Sequence, residues 1–308
     1  MTASTSSSPS PASGGLQRIT ARSADIGGGI AVQRVLPTRQ RRSIGAWCFL
    51  DHAGPAHFEP GGGMRVAPHP HIGLQTFTWM IAGEVLHRDS LGNEQRIRPG
   101  EVNLMTAGHG ISHTEESLDD ERQLHAAQLW IALPPEAADC APAFDHHPEL
   151  PRWDEAGCAF TLLAGEWGGR RAPARLYSPL VALDLHAPAA STLTLALQPD
   201  FEYGVLVLEG EARLGGEHFA KDELAFSPAG ARTLELQLGA GTRAILIGGE
   251  PRQGEIVIWW NFVGHDRESV ARACADWERE RAAGGGERFG RVEGFDGEAL
   301  AAPPVPWA

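Results

Sequence analysis

Four side chains in this sequence have the type and spacing to hold a metal ion. His69 and His71 stand two apart in PHPHIGLQ, residues 68–75, and His113 and Glu115 stand two apart further along the chain. Side chains alternate faces along a strand, so each pair points to one side of its strand. If both segments are strands of one barrel with these faces inward, three imidazoles and a carboxylate converge. That donor set is hard to borderline and suits Fe, Ni, Mn, Co, Cu or Zn. An octahedral ion held by four protein ligands keeps two positions open, enough for a bidentate substrate or for a substrate and O2. A lone strand histidine is more often a hydrogen-bonded core residue, but two such pairs in glycine-rich surroundings are hard to explain that way.

Strands to carry these pairs are written into the surrounding pattern. Between residues 16 and 134 short apolar stretches alternate with glycine turns. Leu74–Ile81 precedes Ala82-Gly83-Glu84, Val85–His87 precedes Leu91-Gly92-Asn93, and Val102–Met105 follows Pro99-Gly100. These are the lengths and turn residues of a β meander or barrel. Residues 134–158 hold five prolines without periodicity and read as a surface linker. Strand-like runs resume at 192–198, 205–208, 224–226, 233–238 and 244–247. MIAGEVLH at 80–87 matches VLEGEARL at 207–214, and GEVNLMTAG at 100–108 matches DELAFSPAG at 222–230. Two copies of one barrel account for this. The expected organisation is a disordered tail at 1–15, a first barrel at 16–135, a linker at 136–158, a second barrel with a helix at 159–290, and a tail at 291–308. The helix is expected at 267–281, capped by Asp266, with Val270, Ala273, Cys274 and Trp277 on its apolar face.

Gly63, five residues, then His69-x-His71 is similar to the first cupin motif, and Gly100-x5-Thr106-Ala107-Gly108 followed by His113 is similar to the second. More narrowly, APHPHIGLQTFTWMIAGEVLHRDSLGN, IRPGEVNLMTAGHGISHTEES, LHAAQLWIALP and WWNFVGHDRES resemble the pirin family, over roughly residues 16–282. The resemblance implies an all-β chain of two tandem jelly-roll cupin barrels with a C-terminal helix. It also implies one divalent transition metal, Fe(II) first, bound in the N-terminal cupin by His69, His71, His113 and Glu115. The usual cupin carboxylate just after H-x-H is missing, its slot holding Gln75 or Thr76, which fits the pirin variant. His109 stands where many members carry Arg, as a group facing the substrate or as a turn residue. In the second barrel, counting from the matched turns sets Ala196, Gln198, Glu235 and Gln237 against the four ligands, so that barrel is expected to be metal-free. His87 reads as a structural hairpin residue, and His52, His57 and His125 as further candidates for the first barrel's interior. Phe77, Trp79 and Trp130 read as pocket lining or plain core.

Within that family the resemblance implies a metal-dependent dioxygenase of the quercetin 2,3-dioxygenase type, acting with O2 on a flavonol or similar enol-ketone. Glu115 would be its general base. The alternative is a non-catalytic iron-binding redox sensor that docks on a partner protein. A sugar-phosphate isomerase ranks last, since the motifs offer only Arg65 and Arg88 to a phosphate. Lysine plus arginine number 26 against 39 acids, a net charge of −13, which excludes nucleic acid and anionic membrane as default partners. The four cysteines form no C-x-x-C pair, and the Ser/Pro-rich start has neither basic head nor apolar core. A reducing, cytoplasmic setting is the expectation. No P-loop, dinucleotide-binding glycine motif or nucleophile elbow competes with the histidines.

Overall fold

The computed structural model describes residues 15–25 and 30–307, so the tail expected over 1–15 (Gly15 apart) and the glycines at 27–29 lie outside the described residues. The duplication read from the turns is present as two copies of a seven-stranded and a four-stranded sheet. In the first barrel the large sheet runs Ala143–His147, Val102–Thr106, Leu74–Ala82, Gln123–Ala132, Trp47–His57, Ala31–Leu36 and Arg22–Asp25. Facing it are Arg65–His71, Ile111–Ser117, Val85–Asp89 and Glu94–Ile97. The second barrel repeats this, with Ser191–Ala196 and Thr233–Leu238 where the first has its histidine strands.

Both faces of each large sheet are buried, which explains why its strands read as apolar runs instead of an alternation. Thr78, Met80, Gln128 and Trp130 face the first barrel's cavity. The alternate residues Phe77, Trp79, Ala127, Leu129 and Ile131 pack against Leu206, Leu208, Leu224, Ile245 and Ile247 of the second barrel. Trp47 meets Phe77 edge-on at 5.6 Å and donates to the Gly248 carbonyl at 3.2 Å. Trp79 donates to Asp184, whose carboxylate is also held in a two-pronged pair by Arg243. Phe77 and Trp79 are therefore core between the barrels, while Trp130 lines the pocket.

His52 and His125 also lie on this seam and not in the first barrel's interior. His52 Nδ1 is 2.6 Å from Asp222 of the second barrel, and the two imidazole Nε2 atoms are 2.9 Å apart. His57 is exposed at the end of its strand.

The division between barrels differs from the expected boundaries. Gln17–Thr20 joins the second barrel's sheet beside Glu223–Ser227, with Arg18 paired to Glu223 and stacked on Phe219. Inside the expected linker, Ala143–His147 extends the first barrel and Arg152–Glu155 the second. These two are edge strands, where flanking prolines cost no ladder bond. Residues beyond 290 are no free tail, for Leu300 N donates to the Pro68 carbonyl, Trp277 Nε1 to Leu300, and Ala302 N to Glu278.

The helix spans Arg267–Ala283, its N-cap Asp266 accepting from Ser269 N at 2.6 Å and its end closed by Gly284 in the left-handed region. Its apolar face, Val270, Ala273, Cys274 and Trp277, packs with Phe262, Phe289 and Ile72, next to His71. Among the described residues no helix is long and apolar enough to cross a membrane. In the second barrel Ala196, Gln198, Glu235 and Gln237 face outward, a correction to the counted alignment, which a one-residue slip turns inside out. Inside stand Leu195, Leu197, Leu234 and Leu236.

Truncating Phe77 to Ala should cost about 3–5 kcal/mol, read as a fall in the urea midpoint, with both barrels still unfolding together because this core is common to them. Two separated transitions in the native protein would contradict a shared core. On the same seam the His125 imidazole is pushed down to about 3 from an ordinary 6.5, first by burial and then by His52. A histidine kept neutral by folding takes up a proton on unfolding, so its contribution is full above the unfolded value and is lost as pH falls. Stability should decline from about pH 6.5 downward, and less steeply in His125→Leu; equal slopes would remove His125 from the account.

Candidate metal centre

The strand Arg65–His71 pairs antiparallel with Ile111–Ser117, with His71 opposite Ile111 and His69 opposite His113. All three imidazoles point into the barrel, are buried, and hold ligand nitrogens within 4.8 Å of one another. The ladder slips between His113 and Glu115, so that Glu115 stands opposite Val66. The extra residue falls at Ala67-Pro68, where a bulge suits a proline that has no N–H to give. It also turns the Ala67 carbonyl toward His69 Nδ1, 2.9 Å away.

The surroundings decide which nitrogen of each ring is free. His69 Nδ1 donates to Ala67 O and His71 Nδ1 to Asn261 O at 3.0 Å. For His113 the acceptor is a fourth imidazole: its Nδ1 lies 3.3 Å from His87 Nδ1, and His87 Nε2 lies 3.1 Å from the Asp89 carboxylate. Asp89 accepts the His87 Nε2 proton, which leaves His87 Nδ1 to accept from His113. With Nδ1 protonated on His69, His71 and His113, three Nε2 lone pairs converge, the form that ligates a metal. His71 Nε2 and His113 Nε2 are 3.1 Å apart, a contact of two lone pairs that a shared cation relieves. The donor set therefore fits a divalent transition metal. Burial first, and mutual repulsion after it, hold His71 and His113 well below the usual histidine range, and burial pushes His69 down to about 4. All three are neutral at pH 7, as ligands must be.

Glu115 lines the same cavity, but its carboxylate is not within the 4.8 Å group. It has no hydrogen-bond partner among the described residues, and burial raises it from 4.5 to about 7. Of the two residues in the usual carboxylate slot, Gln75 turns to the second barrel and bonds the Arg175 carbonyl. Thr76, on the opposite face of the strand, shares the cavity side with Thr78. His109 is an exposed turn residue whose carbonyl accepts from Arg288.

From the sequence His87 reads as a structural hairpin residue, whereas the structure sets it against His113. Val85, His87 and Asp89 alternate inward along one strand, a period-two signal as plain as that of His69 and His71. Its aromatic partner Phe144, stacked at 4.4 Å, comes from the segment read as linker. The late segment around Asn261 contributes through its backbone. Trp260 adopts a φ of 51°, and the turn presents the Asn261 carbonyl to His71.

Above the histidines lies a cavity of about 330 Å3 with mainly apolar walls. Trp130 stacks on Phe49 at 4.0 Å and meets His71 edge-on at 5.2 Å. Leu300 and Trp260 close one side. Arg88 is bound to Glu94 and Glu116, and Arg65 lies against Glu116 and the Asp296 carbonyl, so neither is a free cation for a phosphate.

Two jelly-roll barrels, one with three converging imidazoles and one filled by leucine, define a bicupin with a single candidate metal centre among the described residues. Residues 29–131 match the Pirin family and residues 182–283 the Pirin C-terminal cupin domain; the chain belongs to the pirin family. It is 66% identical over 292 residues, 95% of this chain and 91% of the other, to "Putative quercetin 2,3-dioxygenase PA1205" of Pseudomonas aeruginosa. It is 38% identical over 270 residues, 85% and 92% of the two chains, to a "Pirin-like protein" of Caulobacter vibrioides. The crystal structure of a quercetin 2,3-dioxygenase from Acinetobacter baumannii superposes with a TM-score of 0.91 at 46% identity, covering 95% of this chain and 96% of that one.

Replacing His87 by Phe keeps the stack on Phe144 but removes the acceptor that fixes the His113 tautomer. Metal affinity, measured by competition with a chelator, should fall roughly 10–100-fold. Undiminished affinity would reduce His87 to a packing residue.

Proposed function

We propose that this protein is a metal-dependent dioxygenase of the quercetin 2,3-dioxygenase type, acting on a flavonol or a similar enol-ketone. The observation that carries the reading is an unpartnered carboxyl, Glu115, beside three neutral, convergent imidazoles at the base of an apolar aromatic cavity. In this reading His69, His71, His113 and Glu115 hold the ion, Fe(II) first among the candidates, and it supplies Lewis acidity toward the substrate's oxygens and a route to O2.

The chain's own groups do the rest. Trp130, backed by Phe49, offers an aromatic face against which a planar substrate lies. Glu115 accepts the proton of the enol hydroxyl and leaves the electron-rich enolate that O2 attacks. The apolar walls keep water from that enolate. Asp89 and His87 hold His113 in its ligating tautomer and take no part in the chemistry. The leucine-filled second barrel acts as the buttress behind the large sheet. A redox sensor that docks on a partner needs no apolar cavity of this size beside its ion, which favours the enzyme. The names borne by the Pseudomonas and Acinetobacter relatives support the same activity.

The test is metal analysis followed by an aerobic assay for loss of flavonol absorbance. Stripping the metal should abolish turnover, and Fe(II) or another divalent ion should restore it. Glu115→Gln should lower turnover about 10²–10⁴-fold while most of the metal is retained. Full turnover in that variant would remove Glu115 as base, and a metal-loaded native protein that leaves flavonols intact would move the assignment to the sensor.

A further inference from the structure

Register across the first barrel's large sheet sets six polar residues side by side on one face. Arg34 stands opposite Asp51, Asp51 opposite Gln128, Gln128 opposite Thr78, Thr78 opposite Asn103, and Asn103 opposite His146. The neighbouring positions on this face are mostly apolar: Phe49 and Trp130 on the metal side, and Val32, Ala53, Ala126 and Met80 on the other. A polar band inside a barrel costs desolvation that an apolar one avoids, so it calls for a reason.

Much of the band satisfies itself. Arg34 holds Asp51 through two bonds of 2.8 and 2.7 Å, and His146 Nδ1 pairs with Asn103 Oδ1 at 2.8 Å. Thr78 Oγ1 donates to Gln128 Oε1 at 2.6 Å, which fixes the amide with its Nε2 turned the other way. That Nε2 has no hydrogen-bond partner among the described residues, and Gln128 is half-buried on the cavity wall with Arg34, Asp51 and Thr78. Gln128 lies two residues from Trp130, about 7 Å along the strand, and Trp130 itself touches His71. A planar molecule anchored at the histidines and laid along Trp130 would bring its remote end to this amide.

Resting on the dioxygenase reading, we infer that Gln128, oriented by Thr78 and flanked by the Arg34–Asp51 pair, is a specificity residue that hydrogen-bonds an oxygen substituent at the end of the substrate remote from the metal. The substrate class is thereby narrowed to polycyclic enol-ketones that carry a hydroxyl or carbonyl on the distal ring. A band serving stability alone would affect every ligand alike, whereas recognition of one substituent changes the ratio between ligands.

The experiment uses the metal-loaded full chain and quenching of tryptophan fluorescence to obtain Kd for 3-hydroxyflavone and for two analogues with one further hydroxyl, on the fused or on the pendant ring. In the native protein one hydroxylated analogue should bind roughly tenfold tighter than 3-hydroxyflavone, the scale of one buried hydrogen bond. Gln128→Leu should bring that ratio close to one, and Thr78→Val, which frees the amide to turn, should reduce it by less. If the Leu variant fails to fold, Gln128→Met keeps most of the size, removes the amide donor, and should also collapse the ratio. A ratio that survives in a folded Gln128 variant, or that equals one in the native protein, overturns the inference while leaving flavonol turnover as evidence for the activity. No binding of any of the three ligands to the native protein would overturn both.

Discussion

A neutral imidazole presents one lone pair, and a candidate metal site exists here because the surroundings settle which nitrogen carries it. Three separate acceptors do this: the Ala67 carbonyl freed by a bulge, the Asn261 carbonyl delivered by a turn from the far end of the chain, and His87 backed by Asp89. Each holds an Nδ1 proton and so directs an Nε2 lone pair inward. Their sources differ: one is local, one is about 190 residues away in sequence, and one lies across the ladder. The helix, the Val257–Gly264 hairpin and the strand Val85–Asp89 can all be understood as holding those acceptors in place.

The second barrel enters the same logic through the large sheet. Strands that present Gln128 and Trp130 to the cavity present Leu129 and Ile131 to the neighbouring barrel, so one backbone serves both a site and a core. Close packing on that rear face limits the movement of the cavity wall. The second barrel's own interior is filled largely by leucine. Polar groups on the seam are tied across it: His52, in contact with His125, to Asp222, and Trp79 to Asp184, which Arg243 also holds. Such pairings satisfy buried donors and fix the register between barrels.

Much of this was legible in the residues. The i, i+2 histidines, the glycine turns, the repeat of MIAGEVLH in VLEGEARL and the Asp266 cap are local signals, because strand alternation, turn conformation and capping depend on near neighbours. The repeat located the second barrel, yet counting from its turns put Ala196 and Glu235 inside, since loops of unequal length do not preserve strand phase. Proline content suggested a linker where the chain makes two edge strands, because an edge needs only one row of ladder bonds.

By itself the sequence determined the two-barrel class, the family, and the identity and inward sense of His69, His71 and His113. Tertiary structure decided which face of the large sheet met water, ligand or protein, and so sent His52, His125, Phe77 and Trp79 to the seam and Gln128 and Trp130 to the cavity. It also decided the bulge that frees the Ala67 carbonyl for His69 and the contact that joins His87 to His113. The physical reason is that periodicity tells which residues share a face, while only long-range pairing of strands tells what that face is packed against.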